Sequence, residues 1–193
     1  MRPTLSTAAI FGFVCAASAN GLGPHVTTEV DDDPCTRAAA NRSEDLSNWV
    51  ECQVNSFFPF PANGAWDVAY DAAFSRDVLA PWNETKFDFD GFKALYTSFN
   101  ETIGRNFVDF RHAFIKTLGV PSSSGGGGGF VYLTGWEGGL TALGTELYAE
   151  DAAFAVVEET PQGGRVITEF REASNMMNTA PVPESQDWTC RLP

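Results

Sequence analysis

Residues 147–174 read LYAEDAAFAVVEETPQGGRVITEFREAS, and this stretch decides the class of fold. Two runs rich in Val, Ile, Phe and Ala flank Pro161-Gln162-Gly163-Gly164. Such a Pro/Gly cluster between two apolar runs is typical of a hairpin turn. We therefore predict antiparallel strands over residues 147–158 and 165–174.

Two further strands are predicted before this hairpin. Apolar and polar residues alternate from Val108 to Leu118, and a second apolar run extends from Phe130 to Trp136 and continues towards Leu143. Between them, residues 121–129 consist of Pro, three Ser and five Gly, which predicts a mobile hairpin connection. A phosphate-binding loop is not indicated, because no Lys-Ser/Thr pair follows the glycines.

Three helices are predicted earlier in the chain, where apolar residues recur at spacings of three and four. They cover residues 36–56, a segment after Asn63-Gly64, and residues 90–104, with a loop at 81–83 between the last two. Helices segregated from an antiparallel sheet make an α+β domain.

Three stretches carry a resemblance to a known family: AFSRDV at 73–78, GFKALY at 91–96 and the closing hairpin over 153–172. In this order they resemble the SnoaL-like, polyketide-cyclase-like branch of the nuclear transport factor two-like superfamily, over residues 36–176. The resemblance implies three N-terminal helices packed on a curved antiparallel sheet that forms a cone with an apolar pocket. The family includes cyclases, isomerases, dehydratases, epoxide hydrolases and modules without catalysis, so the fold does not fix a reaction.

The N-terminus has the pattern of a secretory signal peptide. Arg2 precedes an uncharged run over residues 8–17, and the small residues Ala17-Ser18-Ala19 form the exit site. We predict a signal peptide at 1–19, a flexible leader at 20–35, the cone domain at 36–176 and a C-terminal tail at 177–193. The protein is expected to be secreted and extracellular, from a eukaryote of fungal type. Glycosylation sequons begin at Asn41, Asn83 and Asn100.

Three cysteines follow the signal peptide: Cys35, Cys52 and Cys190. A helix over residues 36–56 would separate Cys35 from Cys52 by about 24 Å, whereas a disulfide needs Cα atoms within about 7 Å. We therefore predict a Cys52–Cys190 disulfide that ties the tail to the first helix, with Cys35–Cys190 as the alternative.

The composition bounds the partners. Twelve basic residues stand against 25 acidic ones, for a net charge of −13. This balance argues against binding to nucleic acid or to an anionic membrane surface. No convergent set of metal ligands and no cofactor motif is visible, so we expect neither a metal nor a cofactor. A small apolar molecule is the expected partner, and a homodimer through the open sheet face is a further hypothesis.

His112 is the candidate catalytic residue, because it is the one histidine inside the predicted domain. It shares a strand face with Phe110 and Phe114, and its reference pKa near neutrality suits proton transfer. Glu169 in the last strand is the second catalytic candidate. The alternatives are a hydrogen-bonded core histidine and an ion pair between Glu169 and Arg171.

Aromatic side chains predict where a ligand would bind. Tyr132 and Trp136 share one face of a strand, and Tyr148 lies on the next strand; the same residues would also make an ordinary core. The resemblance places Asn175 where enzymatic relatives often carry an aspartate, and an amide cannot accept a proton at neutral pH. The predicted ligand-binding residues are Phe110, Phe114, Tyr132, Trp136, Tyr148 and Asn175.

Three functions stay open at this point. The protein is a pocket that binds a small apolar or aromatic ligand, a cyclase, isomerase or dehydratase using His112, or an extracellular interaction protein.

Overall fold

The computed structural model describes Cys35, residues 42–60 and residues 64–175, and these residues form an α+β fold. The elements, in chain order, are α1 (Ser43–Phe57), α2 (Trp66–Ala73), β1 (Phe74–Trp82), β2 (Thr85–Phe87), α3 (Phe89–Asn106), β3 (Phe107–Pro121), β4 (Gly129–Thr141), β5 (Glu146–Glu159) and β6 (Arg165–Ser174). The α+β class, with three helices on a curled sheet, is confirmed.

The sheet has six strands in the order β2-β1-β6-β5-β4-β3, and β1 pairs with β6 in parallel. Two predictions are wrong here. Residues 74–82 form a strand rather than a helix exit and a loop, and the third helix follows this β1–β2 hairpin instead of preceding all strands. Phe74 continues the apolar stripe of α2, and the irregular register between Phe74 and Leu79 leaves Arg76 exposed, so the alternation typical of a strand is interrupted.

Two neighbouring glycines in β4 have positive φ angles. Gly138 and Gly139 have φ values of 148° and 158°. A Cβ atom at Gly139 would collide with the carbonyl oxygen of Asp109 on β3. Glycine therefore allows the backbones of β3 and β4 to approach closely where the sheet bends.

Aromatic side chains join the helices to the sheet. Phe57, at the end of α1, is fully buried. The centroid of its ring lies 4.9 Å from that of Phe74, 5.5 Å from that of Tyr96 and 6.0 Å from that of Phe170. Burying one such side chain stabilises the fold by about 2–3 kcal/mol. Among the residues described, no helix is long and apolar enough to cross a membrane.

The glycine-rich segment before β4 is anchored to its surroundings. The N–H of Gly127 donates to Glu159 Oε2 at 2.7 Å, and Arg165 Nε donates to the carbonyl of Gly127 at 2.7 Å. Arg165 itself is buried and lies over the ring of Trp49 on α1. The loop is therefore tied to both α1 and β6, in contrast to the mobile connection predicted from its composition.

The disulfide joins Cys35 to Cys52, so the predicted Cys52–Cys190 pair is wrong. The Cα atoms lie 5.3 Å apart. The prediction assumed a helix from residue 36, but α1 begins at Ser43, and Cys35 is therefore outside the helical rise that would have separated the two residues. Cys190, Asn41 and the segments predicted as signal peptide and C-terminal tail lie outside the described residues.

We predict that peptide mapping without reduction will recover a Cys35–Cys52 peptide. Replacing Cys52 by Ser should lower the free energy of unfolding by about 3 kcal/mol, because the closed loop spans 17 residues of sequence separation. Cys190→Ser is the matched control and should leave the denaturation midpoint unchanged. A peptide that links Cys190 to Cys52 would contradict this assignment.

Candidate active site

A small cavity lies between the inner face of β3–β6 and the helices α1 and α3. Its volume is about 40 Å³, room for about three water molecules. Its walls combine apolar and aromatic side chains with three carboxyl groups and one imidazole. The residues that line it include Val54, Phe58, Tyr96, His112, Phe114, Leu133, Glu137, Asp151, Phe170 and Glu172.

Glu137 is the most enclosed acid that the sheet presents. It continues the buried alternation of β4 after Val131, Leu133 and Gly135, and it is 3 % exposed. Burial, with a further contribution from the charge of Asp151, raises its pKa to about 8. The Ser174 hydroxyl donates to Glu137 Oε1 at 3.0 Å. Glu137 therefore holds its proton at neutral pH.

Glu172 lies on β6, two residues after the buried Phe170. The residue is partly exposed, but its carboxyl group is buried, and this burial raises its pKa well above the usual value. The charges of Glu137 and Asp151 add to the rise, while the nearby Trp82 and Tyr96 side chains act as donors and lower the pKa. Trp82 Nε1 is buried without a partner at normal hydrogen-bond distance.

Asp151 enters the cavity from β5, where it is paired with Gly135 of β4. A Cβ atom at position 135 would lie 2.7 Å from Asp151 Oδ1, so glycine makes room for the carboxyl group. Burial raises the pKa of Asp151, and the backbone N–H groups of Asp151 and Gly135 counter this rise. These donors favour the ionised form of Asp151 over those of Glu137 and Glu172.

His112 lies in the cavity wall on β3. Its Nε2 is 2.8 Å from Asn55 Oδ1 on α1, and its ring packs against that of Phe58 with centroids 4.6 Å apart. Burial lowers the pKa of His112, an effect reduced by the Phe60 carbonyl. The imidazole is therefore neutral at pH 7.

The other predicted residues are divided between the two faces of the sheet. Phe114 lines the cavity, whereas Phe110 is buried in the core beside Phe58 and Phe60. Tyr132 and Tyr148 are 54 % and 49 % exposed on the opposite face. Trp136 borders the cavity, but its ring packs on that of Tyr148 at 5.6 Å.

Glu169 and Asn175 lie outside this cavity. Glu169 forms an ion pair with Arg171 on the outer face, in line with the alternative assignment. Asn175 is exposed, and its Oδ1 accepts the N–H of Glu150 at 2.7 Å. With Trp136 and Tyr148 it lines a second, more open pocket of about 610 Å³, so the ligand-binding role of these three residues stays a prediction. Both faces of β4 are rich in apolar residues, so alternation alone did not identify the inner one.

The three carboxyl groups of the cavity, Glu137, Asp151 and Glu172, were not among the site residues predicted from the sequence. Each lies at one of the alternate positions of its strand that face inward. Glu137 follows Val131, Leu133 and Gly135, Asp151 lies between Ala149 and Ala153, and Glu172 lies between Phe170 and Ser174. An acid at such a position interrupts an otherwise apolar period of two, which was the available signal. Within residues 42–60 and 64–175, no three His, Cys, Asp or Glu side chains are placed to hold a metal ion.

Asn83 fixes the end of β6, the strand that carries Glu172. Its Nδ2 donates to the Ser174 carbonyl at 3.0 Å, and its Oδ1 accepts the Ser174 N–H at 3.0 Å. The Asn83 N–H also donates to the Glu172 carbonyl at 2.8 Å. A residue in the turn after β1 thus holds the backbone of Glu172 and Ser174 in place.

Solved structures with the same fold come from distant proteins. Nuclear transport factor 2 from Cryptosporidium parvum superposes with a TM-score of 0.51 at 15 % identity, covering 72 % of this chain and 100 % of that chain. ActVI-ORFA from Streptomyces coelicolor superposes with a TM-score of 0.51 at 14 % sequence identity, covering 67 % of this chain and 92 % of that chain. An NTF2-like superfamily protein from Salmonella enterica superposes with a TM-score of 0.51 at 11 % sequence identity, covering 74 % of this chain and 99 % of that chain.

These likenesses establish an NTF2-like fold and nothing finer. No family model matches the sequence. No curated protein matches it either. At identities of 11–15 %, the roles of individual residues must come from the geometry of this chain.

We predict that Glu137→Gln stabilises the protein increasingly between pH 5 and pH 8. The folded-state pKa of about 8 lies above the ordinary 4.5, so the folded wild type holds one extra proton in this window. Its stability therefore falls as the pH rises, and the neutral amide removes that loss. The relative gain has an upper bound of about 5 kcal/mol by pH 8.

Urea unfolding at pH 5, 6.5 and 8 measures this difference. Glu146→Gln, which changes an exposed acid at the start of β5, is the matched control and should follow the wild type at every pH. Parallel stability curves for Glu137→Gln and the wild type would show that Glu137 titrates normally.

Proposed function

Building on the NTF2-like fold, we propose that the protein is a proton-transfer enzyme of the isomerase, dehydratase or cyclase kind that acts on a small molecule. One observation carries this proposal: Glu137, Asp151 and Glu172 meet in one small, largely apolar cavity, where the pKa of Glu137 is raised to about 8. A general acid works best when its pKa lies near the working pH.

The environments of the acids suggest a division of roles. Burial raises the pKa of Glu137 to about 8, so its carboxyl group can donate to an oxygen of the substrate, and the Tyr96 hydroxyl, whose pKa is also raised by burial, is a further donor. Asp151, with its backbone donors, is the best candidate for the base. Carboxyl groups whose pKa values are pushed apart by their surroundings are the usual basis for an acid and a base in one site.

We favour a proton-transfer enzyme over a protein whose pocket only binds an apolar ligand. Burying a carboxyl group without a charged partner costs several kcal/mol, which an apolar carrier has no reason to incur. His112 takes a supporting part, because its neutral imidazole is bonded to Asn55 in the wall. The volume of about 40 Å³ limits the enclosed part of a substrate to a few heavy atoms.

We predict that the wild type accelerates deuterium exchange at the carbon next to the carbonyl of small ketones. Acetone and hydroxyacetone in D₂O, followed by proton NMR, provide the assay. Asp151→Asn and Glu137→Gln should each slow the exchange by about 10²- to 10⁴-fold, whereas Glu146→Gln should retain the full rate. The rate should fall on the alkaline side near pH 8, where Glu137 loses its proton. Exchange no faster than in buffer, or equal in all variants, would refute the assignment.

A second proposal concerns assembly, and it rests on the outer face of the sheet. We define this face by Leu118, Val120, Phe130, Tyr132 and Tyr148, whose exposed fractions range from 42 % to 54 %. A contiguous apolar surface of this kind marks an association site. We propose that a second copy of the chain covers it, since a two-fold dimer would place the same face on both sides. The Glu169–Arg171 ion pair balances charge here, although the whole chain carries −13.

We predict a dimer in sedimentation velocity that Tyr132→Lys converts to a monomer. The lysine would bury an unpaired charge in the interface. Leu143→Lys is the control, because Leu143 is 94 % exposed in the turn between β4 and β5 and should leave the dimer intact. A wild type that stays monomeric at high concentration would contradict the proposal.

Secretion and glycosylation are also part of what we propose. Of the three sequons, Asn83 and Asn100 lie at exposed positions in the described residues. Asn83 Nδ2 uses one hydrogen for the Ser174 carbonyl, which leaves its second hydrogen for replacement by a sugar.

A further inference from the structure

The cavity wall has an unbalanced set of ionisable groups. It receives Glu137 from β4, Asp151 from β5 and Glu172 from β6. Among the described residues that line it there is no lysine or arginine, and the nitrogen base present is the neutral His112. A ligand that completes this site electrostatically therefore brings positive charge.

The remaining wall is aromatic. The rings of Phe58, Tyr96, Phe114 and Phe170 line the same cavity as the carboxyl groups. Ring faces attract an ammonium group through their quadrupole, and they exclude water around it. An inorganic cation would be served less well, because no three side chains in the described ranges are placed as metal ligands.

We propose that the occupant of this cavity is a small organic cation, a protonated primary or secondary amine whose N–H groups donate to Glu172. This inference rests on the proposed function in that it names the substrate class for the same site. The volume of about 40 Å³ limits the enclosed part of the cation to a few heavy atoms.

The indole N–H of Trp82 also supports this occupant. The residue is 5 % exposed, and its Nε1 has no partner at normal hydrogen-bond distance, although it lies close enough to Glu172 to lower the pKa of that acid. The Trp82 indole N–H and the Tyr96 hydroxyl are the two side-chain donors near Glu172, and both favour its ionised form. A cation seated on Glu172 stabilises the ionised carboxylate, which can then accept from Trp82.

Binding must be linked to the loss of a proton. The titratable groups facing the cation are His112 from β3, Glu137 from β4, Asp151 from β5, Glu172 from β6 and Tyr96 from α3, while α1 contributes only uncharged side chains to the wall. Burial holds the pKa of Glu172 well above its usual range, and a bound ammonium group favours the ionised form of this carboxyl group. One proton is released per cation bound, so the affinity rises with pH.

The test compares ethylammonium with ethanol, two probes of equal size that differ in charge. Each is titrated into the whole protein at pH 6, 7 and 8 at constant ionic strength, with the Trp82 indole N–H followed by NMR. Ethylammonium should bind with a Kd on the order of millimolar, as expected for three heavy atoms. Its Kd should tighten by up to about tenfold per pH unit, because one proton is released for each cation bound. Ethanol should bind at least about tenfold more weakly.

Variants locate the site. Glu172→Gln should weaken ethylammonium binding by about tenfold or more, and Glu146→Gln, an exposed acid, should not change it. If Glu172→Gln fails to fold, the comparison between the two probes and the pH dependence of the wild type still decide the question. Equal affinities for the probes, a Kd that is independent of pH, or loss of binding in Glu146→Gln would each overturn the inference.

The outcomes for substrate class and for catalysis are separate. Carbonyl exchange without preference for ethylammonium would keep the proton-transfer function and overturn the cationic ligand. Binding of ethylammonium with its proton release, but without carbonyl exchange in any assay, would keep the ligand class and overturn the catalytic proposal.

Discussion

The burial of one phenylalanine ring holds the two layers of this protein together. Phe57 ends α1 and packs against Tyr70 of α2, Phe74 of β1, Tyr96 of α3 and Phe170 of β6. Because these partners come from four other elements, the helices cannot separate from the sheet without exposing the ring. The cluster also closes one side of the cavity, so the same packing that stabilises the fold removes water from the acids beside it.

The electrostatics of the site follow from that packing. Tyr96 and Phe170 belong both to the aromatic cluster and to the cavity wall, and Glu172 is two residues from Phe170 on the same strand. A low-dielectric wall penalises ionised groups, which is why the pKa values of Glu137 and Glu172 are raised. The fold thus sets the protonation states, and no arginine or lysine in the described wall is needed to do so.

The sequence predicted which segments form helices and strands better than it predicted which side chains of a strand face the core. The closing hairpin and the three helices were visible as apolar periods, because Val, Ile and Phe recur at two or at three-to-four positions. Strand β1 was hidden, since its irregular register after Phe74 interrupts the alternation of buried and exposed residues. The acids were missed for a different reason: β4 is apolar on both faces, and only the packing of α1 and α3 decides that Glu137 points inward and Tyr132 outward.

The clamp between Asn83 and Ser174 has a consequence for the order in which the molecule is built. These residues are 91 positions apart, and their two side-chain hydrogen bonds join the turn after β1 to the end of β6. Contacts of such long range are slow to form, because the intervening chain must first lose its freedom. Glu172 and Ser174 therefore reach their places only when the last strand docks, so a partly folded or shortened chain would have the helices without the acid cluster.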